Sequence, residues 1–153
     1  MAVEIERKFL VANDGWRTLC VRSLSIRDGL IATEGGRKVR VRIEGDRATI
    51  TIKGPRSGLI RAEFEYEIPL LDSNELLANH CQGRIIEKTR HIVSCGGFTW
   101  EIDEYSGDLA GIVIAEIELP ATGTEFGRPD WLGVEVTGDE CYRKVNLHKM
   151  AMP

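Results

Sequence analysis

The sequence has little of what several common kinds of site require. It contains four cysteines but no CxxC pair, so a structural zinc site is not expected. It has three histidines and no GxxxxGK[ST] segment of the kind that cradles phosphates in P-loop proteins. No apolar run approaches the length of a membrane span, and acidic residues occur within the first six positions. Neither a transmembrane helix, nor a signal peptide, nor a membrane partner is therefore expected.

The chain also lacks an excess of positive charge. Its formal net charge of −4 argues against a general nucleic-acid binder but leaves room for a local basic site. A content of 42% hydrophobic and 29% charged residues is typical of a soluble protein. The length predicts a single domain over residues 1–153. The widely spaced cysteines predict reduced thiols and a cytoplasmic location.

Alternation of polar and apolar residues is the main structural signal, and it predicts a β-dominated α+β protein. Eight strands are expected near residues 2–11, 26–33, 38–44, 47–53, 60–69, 84–94, 98–104 and 112–119. Many are joined by tight antiparallel turns, of which Gly45-Asp46 is the clearest. A sheet of this size with such short connections fits either a sandwich or a closed barrel.

Two helices are expected outside the strands. Asp72, with Glu75 three residues later, predicts a capped helix that ends near His80. A second helix is expected from Asp139 to about Met150, capped by Thr137 or Asp139. Residues 121–133 are expected to be irregular, with the indole of Trp131 docked on the sheet.

Charge recurs on one face of every predicted strand except the second. Glu4, Glu6 and Lys8 share a face of the first strand because side chains alternate along a strand. For any one strand, a solvated surface explains the pattern. For the set it does not, because acids dominate on the first, fifth, seventh and eighth strands and bases on the third, fourth and sixth, whereas a surface that favours solubility mixes the signs.

Acidic and basic walls facing each other predict a charged site inside a closed barrel. That interior would have to be wet, since an unpaired ion in a dry interior costs several kcal/mol. Pairs of carboxylates favour a hard divalent cation such as Mg²⁺ or Mn²⁺. Lysine and arginine side chains would hold the oxygens of a polyanion, and the guanidinium fork suits phosphate well.

Taken in order, these residues resemble the signature of the CYTH, or triphosphate tunnel metalloenzyme, superfamily. The matching segments are Glu4-x-Glu6-x-Lys8, Arg40-x-Arg42, Lys53, Arg61-x-Glu63-x-Glu65, Glu87-Lys88-Thr89-Arg90, Glu101-x-Asp103, Glu116-x-Glu118 and Glu135-Val136-Thr137. The resemblance implies a closed eight-stranded antiparallel β-barrel that encloses a tunnel, with a few helices packed outside.

The resemblance also implies roles for individual residues. The metal ligands would be Glu4, Glu6, Glu65, Asp103, Glu116 and Glu118. Phosphate would be bound by Lys8, Arg40, Arg42, Lys53, Arg61, Lys88 and Arg90. Catalysis would depend most directly on Glu4, Glu6, Lys8 and Lys88.

One segment departs from the family pattern. After Glu135-Val136-Thr137 the family commonly has an Arg-Tyr pair followed shortly by Asn, whereas this chain reads Cys141-Tyr142-Arg143-Lys144. Arg143 and Lys144 are therefore added to the expected phosphate contacts.

The function implied is metal-dependent hydrolysis of triphosphates, with inorganic tripolyphosphate as the first candidate and ATP or another nucleotide as further substrates. The alternatives left open are a class IV adenylate cyclase, a nucleoside or thiamine triphosphatase, and a non-catalytic module that binds polyphosphate or nucleotide. The acidic pairs argue against the last, because anion binding alone does not need them. A homodimer is also left open.

Overall fold

The computed structural model describes residues 3–142, which contain nine strands and one α-helix. The strands are β1 (Val3–Val11), β2 (Cys20–Glu34), β3 (Arg37–Glu44), β4 (Arg47–Ser57), β5 (Ile60–Ile68), β6 (Gln82–Cys95), β7 (Phe98–Tyr105), β8 (Val113–Glu118) and β9 (Leu132–Glu135). Helix α1 (Leu70–Asn79) lies between β5 and β6, and short 3₁₀ helices cover Gly15–Leu19, Gly107–Leu109 and Glu140–Tyr142.

The hydrogen-bonded order of the strands is β5-β4-β3-β2-β6-β7-β8-β1-β9, and β5 also pairs with β1. Strands β1 to β8 therefore form the closed β-barrel that the sequence predicted. Adjacent strands run antiparallel in each pair of known register, as in Lys38↔Lys53 of β3–β4 and Lys8↔Glu116 of β1–β8. The tunnel stays a prediction.

Strand β9 is the element that the sequence did not predict. It has four residues, too few to show an alternating pattern, and it pairs with the end of β1 through Phe9↔Glu135 and Val11↔Leu132. The two strands approach closely at Gly133. A Cβ atom at this position would lie 2.8 Å from the carbonyl oxygen of Leu10. Only glycine fits such an approach without a shift of the backbone.

Helix α1 differs from the prediction at its start. It begins at Leu70, and Pro69 rather than Asp72 is the cap residue, with no capping side-chain hydrogen bond. Asp72 lies in the first turn, where its negative charge still favours the helix. Glu75 accepts from the Asn79 amide instead of closing a capping box. No helix within residues 3–142 is long and apolar enough to cross a membrane.

The expected C-terminal helix falls mostly outside the described residues. Within them, the 3₁₀ helix Glu140–Tyr142 is present, and the carboxylate of Asp139 accepts a hydrogen bond from the Cys141 amide at 3.0 Å. Of the two predicted caps, Asp139 therefore caps this turn. Thr137 is engaged elsewhere, at β1.

The chain divides into two compact units built from interleaved segments. The first unit comprises residues 1–4 and 25–87, and its core contains Val41, Ile43, Ala48 and Leu77, the last contributed by α1. The second unit comprises residues 5–24 and 88–153. Its core is larger and is formed by Phe9, Trp16, Val93, Trp100, Ile102, Ala115, Ile117, Leu119 and Trp131. The single domain over residues 1–153 stays a prediction.

Aromatic rings dominate the core of the second unit. Trp131 is buried, as expected, and its ring lies edge-on to that of Trp100 at 5.3 Å between centroids. Phe126 packs edge-on against Trp100 and Phe9. This layer covers one face of the strands, and charged side chains at the alternate positions occupy the other.

Candidate active site

Asp103 on β7 is the best-buried charged residue among the described residues of the second unit, with no exposed surface. The β6–β7 hairpin turns at Gly96-Gly97, both at positive φ, and this tight turn sets Asp103 opposite Arg90. Arg90 donates to the two Asp103 oxygens at 2.8 and 2.9 Å, and Lys88 Nζ lies 2.7 Å from Oδ2. Both carboxylate oxygens are thus engaged by cations.

The same two cations control the titration of Asp103. Burial raises its pKa, but the charges of Lys88 and Arg90 outweigh burial and hold the pKa below its ordinary value. The assignment of Asp103 as a metal ligand stays a prediction. Its contacts give it a second task, which is to fix Lys88 and Arg90 in place.

Glu116 on β8 lies beside this group. It is opposite Lys8 in the β1–β8 ladder and opposite Glu101 in the β7–β8 ladder, and Lys8 Nζ is 3.7 Å from its Oε1. Burial raises the pKa of Glu116, but Lys8, Arg90 and Lys88 lower it well below its ordinary value. Glu116 is therefore ionised at neutral pH.

Carboxyl groups gather around Glu116. Glu6 hydrogen-bonds to Glu116, and Glu6 lies opposite Glu118 in the β1–β8 ladder. No three His, Cys, Asp or Glu side chains among those described converge closely enough to enclose a metal ion. The donors nevertheless fit a hard divalent cation by chemistry, since they are carboxylates and two of them already lie within hydrogen-bonding distance of each other.

A second acidic and basic group lies in the first unit, around Lys53. Lys53 Nζ donates to both carboxylate oxygens of Glu4, at 3.2 and 3.0 Å, and is 3.3 Å from Glu63 Oε2. Burial and a hydrogen bond with Glu63 raise the pKa of Glu4. Burial alone would raise the pKa of Glu63, but its hydrogen bonds with Glu4 and Lys53 lower that pKa below its ordinary value. Glu63 was absent from the predicted site, although its place between Arg61 and Glu65 on one strand face could have indicated it.

The predicted arginines of the first unit have varied partners. Arg40 donates to Thr51, 3.2 Å away, and Glu65 accepts from the same hydroxyl group. Arg42 makes two hydrogen bonds, of 2.7 and 2.9 Å, with buried Asp28 on β2. Asp28 was not among the predicted site residues, because its strand showed no charged face.

Arg61 makes contacts of a different kind. It donates to the backbone carbonyls of Gly54 at 2.7 Å and Gly36 at 3.1 Å. These bonds hold the backbone of β4 at Gly54 and of the β2–β3 turn at Gly36, a structural task that the alternating pattern does not indicate.

The structure thus distributes the predicted residues over both units. The second unit holds Glu6, Lys8, Lys88, Arg90, Asp103, Glu116 and Glu118, and the first holds Glu4, Arg40, Arg42, Lys53, Arg61 and Glu65. Arg143 and Lys144 lie outside the described residues.

The backbone of Lys8 is held by a hydrogen-bonded clamp from β9 and the turn after it. The Lys8 amide donates to Thr137 Oγ1 at 2.9 Å, and the Val136 amide donates to the Lys8 carbonyl at 2.8 Å. The Thr137 hydroxyl donates in turn to Glu135 at 2.7 Å, and Arg7 makes two hydrogen bonds to Glu135. Arg7 was not among the predicted site residues, yet it anchors this clamp.

Replacing Thr137 by Val is expected to lower the free energy of unfolding by about 1–3 kcal/mol, because the Lys8 amide loses its acceptor. Thr137→Ser keeps the hydroxyl group and is the matched control, with a loss below about 1 kcal/mol. Urea unfolding of the three proteins measures the difference. If Thr137→Val and Thr137→Ser lowered the free energy of unfolding equally, the hydroxyl group would not be what holds Lys8.

Acid should weaken the same clamp. Hydrogen bonds from Arg7 hold the pKa of Glu135 below its ordinary value. A carboxyl group whose pKa is lowered in the folded state stabilises the fold at pH values above its pKa in the unfolded chain, which is about 4.3. This stabilisation is lost as the pH falls through the pKa of the folded state. The free energy of unfolding should therefore fall from pH 6 to pH 3, and Glu135→Gln should flatten that fall. Identical pH profiles for both proteins would contradict this role.

A family model described as the CYTH domain matches residues 2–145. The chain belongs to the CYTH family. This CYTH protein is 45% identical over 149 residues to an inorganic triphosphatase of Acetivibrio thermocellus, a match that covers 97% of this chain and 95% of the relative. Enzymes of the CYTH triphosphate tunnel metalloenzyme family are metal-dependent.

Solved structures agree with this membership. The CYTH chain is similar to the crystal structure of the inorganic triphosphatase NE1496, with a TM-score of 0.67, 31% identity, and coverage of 95% of this chain and 97% of that one. It also resembles HpAC1 of Hippeastrum, a putative adenylyl cyclase with a dominant triphosphatase activity, at a TM-score of 0.58. That match has 14% identity over 79% of this chain and 80% of the other, and it shows the fold alone.

Proposed function

We propose that this protein is an inorganic triphosphatase that hydrolyses the terminal phosphoanhydride bond of tripolyphosphate, using Mg²⁺ or Mn²⁺. The observation that carries the proposal is the 45% identity to a relative of that name over almost the whole of both chains. The contacts of Lys8, Lys88, Arg90 and Glu116 support it, because they place fixed cations beside ionised carboxylates.

Charge counting in the second unit supports a metal in the reaction. Three cations (Lys8, Lys88 and Arg90) stand against the five carboxyl groups of Glu6, Glu101, Asp103, Glu116 and Glu118. This excess of carboxyl groups over cations disfavours a polyanion on its own. A divalent cation would offset the excess, and this agrees with a metal-dependent enzyme better than with a metal-free polyphosphate-binding module.

The metal would be held by carboxylates. In the second unit these are Glu6, Glu116 and Glu118, with Asp103 as a further candidate. In the first unit the ligand is Glu4, with Glu65 as a further candidate. Bound there, a divalent ion would polarise phosphate oxygens and neutralise their charge. Glu118 is exposed, so its oxygens are accessible to a ligand from solvent.

The basic residues would bind the triphosphate. Asp103 holds Lys88 and Arg90 in place, so neither side chain has to reorganise when the substrate binds. Preorganised positive charges of this kind stabilise the negative charge that develops on the phosphate. Lys8 is held through its backbone by the Thr137 clamp. Further phosphate contacts are assigned to Arg40, Arg42, Lys53 and Arg61 of the first unit and to Arg143 and Lys144.

The chemical step is the attack of water on the terminal phosphorus. The oxygen of water forms the new bond to phosphorus, a carboxylate accepts the proton, and the bond to the bridging oxygen breaks. Orthophosphate and pyrophosphate leave, and Lys8 and Lys88 neutralise the charge on the departing oxygen. Glu4 and Glu6 are the candidate bases, and burial raises the pKa of Glu4, which strengthens its carboxylate as a base.

An assay of products tests this function directly. The protein is incubated with tripolyphosphate, ATP or thiamine triphosphate plus Mg²⁺ or Mn²⁺, and orthophosphate, pyrophosphate and cyclic AMP are separated. We expect the highest kcat/KM for tripolyphosphate. Cyclic AMP as the main product from ATP would assign a cyclase. Tight metal-free polyphosphate binding by calorimetry, with no turnover, would assign a binding module.

The remaining expectations complete the proposal. Residues 1–153 would act as one functional domain, in the cytoplasm. All four cysteines, Cys20, Cys81, Cys95 and Cys141, are free, which agrees with a reducing compartment.

A further inference from the structure

A serine, a histidine and a glutamate of the second unit form a hydrogen-bonded relay. Ser23 lies on β2, His91 on β6 and Glu104 on β7, and these three strands are neighbours in the sheet. The Ser23 hydroxyl oxygen lies 2.7 Å from His91 Nδ1, and His91 Nε2 lies 2.7 Å from Glu104 Oε1. Both distances are those of hydrogen bonds, so the imidazole joins the hydroxyl group to the carboxylate.

The relay lies on the opposite side of the strands from the candidate active site. Successive side chains of a strand point to opposite faces, so His91 faces away from its neighbour Arg90. Glu104 likewise faces away from Asp103. The ring of His91 packs instead against the buried indole of Trp16, at 4.8 Å between centroids. The relay is therefore separate from the residues assigned to the triphosphatase reaction.

Glu104 determines which nitrogen of His91 carries the proton. Arg17 donates to the two Glu104 oxygens at 2.9 and 3.0 Å, and hydrogen bonds from Arg17 and His91 hold the pKa of Glu104 below its ordinary value. An ionised carboxylate only accepts hydrogen bonds, so Nε2 carries the proton and donates it. In the neutral imidazole Nδ1 is then the acceptor, and the Ser23 hydroxyl group donates to it.

The imidazole is held firmly, whereas the hydroxyl group is accessible. The Arg17 guanidinium lies 4.3 Å from the centroid of the Trp16 ring, so the two residues that contact Glu104 and His91 also contact each other. The His91 side chain is only 13% exposed, but Ser23 is exposed. A fixed base within hydrogen-bonding distance of an accessible hydroxyl group, itself oriented by a third group, is the arrangement that activates serine.

We infer that Ser23 is a nucleophile that His91 activates and Glu104 orients, and that it accepts acyl groups from activated esters. An arrangement of nucleophile, base and carboxylate recurs on unrelated folds and is recognised by its geometry, not by the order of its residues in the chain. Either ring nitrogen of histidine can accept a proton, so Nδ1 serves as the base here.

The reaction has two steps. The Ser23 oxygen attacks the carbonyl carbon of the ester while its proton passes to His91 Nδ1. The bond to the leaving oxygen then breaks, and the imidazolium gives the proton to that oxygen. Water attacks the acyl-serine in the second step, His91 accepts the proton of the water, and the carboxylic acid leaves as the proton returns to the Ser23 oxygen.

The exposure of Ser23 limits the esters that can react. Solvent water, rather than a closed pocket, would stabilise the charge that develops on the carbonyl oxygen, because Ser23 is exposed. Water stabilises this charge less well than preorganised donors in a site that excludes water. The substrate class is therefore esters with a good leaving group, such as aryl esters.

Cys20 is the competing nucleophile. Its sulfur lies 3.9 Å from His91 Nδ1 and 3.6 Å from the Ser23 oxygen, so the hydroxyl group is much closer to the base. The thiol donates to the backbone carbonyl of Arg22 at 3.3 Å, and Cys20 is only partly exposed. The geometry therefore favours Ser23.

Labelling of the full-length chain with a fluorophosphonate tests the inference, with the labelled residue located by peptide mass spectrometry. An activated serine oxygen forms a bond to phosphorus and fluoride leaves, whereas ordinary serines react slowly. We expect the label on Ser23. His91→Gln should slow this labelling at least about 100-fold, the lower end of what a positioned base contributes. Circular dichroism verifies that each variant folds.

The orienting role of Glu104 has its own test. Glu104→Gln should slow the labelling of Ser23 at least about tenfold, because an amide does not fix the proton on Nε2. Glu104→Asp keeps a carboxylate and should slow it less. Equal rates for these two variants would show that the carboxylate does not orient His91.

Ser25→Ala is the matched control. Ser25 is also an exposed serine of β2, and it is not a hydrogen-bond partner of His91 among the described residues. Its variant should keep both the label and the hydrolysis of p-nitrophenyl acetate, whereas Ser23→Ala should lose the label and slow the hydrolysis. The inference is wrong if Ser23 is labelled no faster than Ser25, or if His91→Gln is labelled at the rate of the unaltered chain. An acetyl group found on Cys20 instead of Ser23 would also overturn it and assign the thiol.

Discussion

Asp103→Asn is expected to lower the free energy of unfolding by about 3–5 kcal/mol, the usual cost of removing one partner from a buried ion pair. The asparagine has nearly the same shape but lacks the negative charge that compensates Lys88 and Arg90. Lys88 is almost fully buried, and its ammonium would lose the carboxylate 2.7 Å away. Arg90 would keep at most one hydrogen bond to the remaining side-chain oxygen and would retain Glu101 as a partner.

Urea unfolding with a chelator present is the measurement for Asp103→Asn. The chelator matters because it separates two roles of the residue. A carboxylate that serves only as a metal ligand would not stabilise the metal-free protein, so the variant would then match the unaltered chain. A carboxylate that holds Lys88 and Arg90 stabilises the fold with or without metal.

Glu101→Gln is the matched control for that experiment. Glu101 makes one hydrogen bond to Arg90 at 3.0 Å, and its side chain is 37% exposed. Its replacement should cost less than about 1 kcal/mol, as is usual for exposed ion pairs. Equal losses for the Asp103 and Glu101 variants would contradict the special role given to Asp103.

Glu118→Gln is expected to reduce metal-dependent turnover of tripolyphosphate at least about 100-fold, since a metal that polarises phosphate contributes several kcal/mol to catalysis. Glu118 is exposed and lies opposite Glu6, so the fold should be retained. Glu6→Ala should have a similar effect. Both variants should need more metal for half-maximal rate, which a purely structural loss would not cause.

Glu87→Gln controls for the loss of a carboxylate as such. Glu87 is 61% exposed and forms an ion pair with Arg27 at 3.5 Å, and no part in the site is assigned to it. Its variant should keep the turnover of the unaltered protein. Near-normal activity in Glu118→Gln or Glu6→Ala would show that the metal ligands are assigned wrongly.

Strand alternation predicted most of the fold because the turns fix the register. Gly45-Asp46 joins β3 and β4 in a tight hairpin, so the strict alternation of both strands places their charged residues on one side. Two parts of the fold did not follow from the sequence. Strand β2 was predicted over residues 26–33 but begins at Cys20, in a stretch without alternation, and β9 is too short to show any.

The candidate site was only partly predictable, because the pattern gives the face of a side chain but not its partner. The family resemblance assigned Arg42 to phosphate, and the register adds a partner that it did not indicate, since Asp28 lies opposite Arg42 and accepts two hydrogen bonds from it. Arg61 was assigned in the same way, yet it donates to two backbone carbonyls that no residue type indicates. Glu63 could have been found, since it shares a strand face with Glu65.

Phosphorus NMR of tripolyphosphate incubated with the protein is the most direct test of metal-dependent triphosphatase activity. With Mg²⁺ or Mn²⁺ present, the tripolyphosphate signals should disappear while one orthophosphate and one pyrophosphate form for each molecule consumed. With a chelator present, the spectrum should not change. Unchanged tripolyphosphate in the presence of both metals, from a protein shown to be folded, would show that the protein is not a tripolyphosphatase.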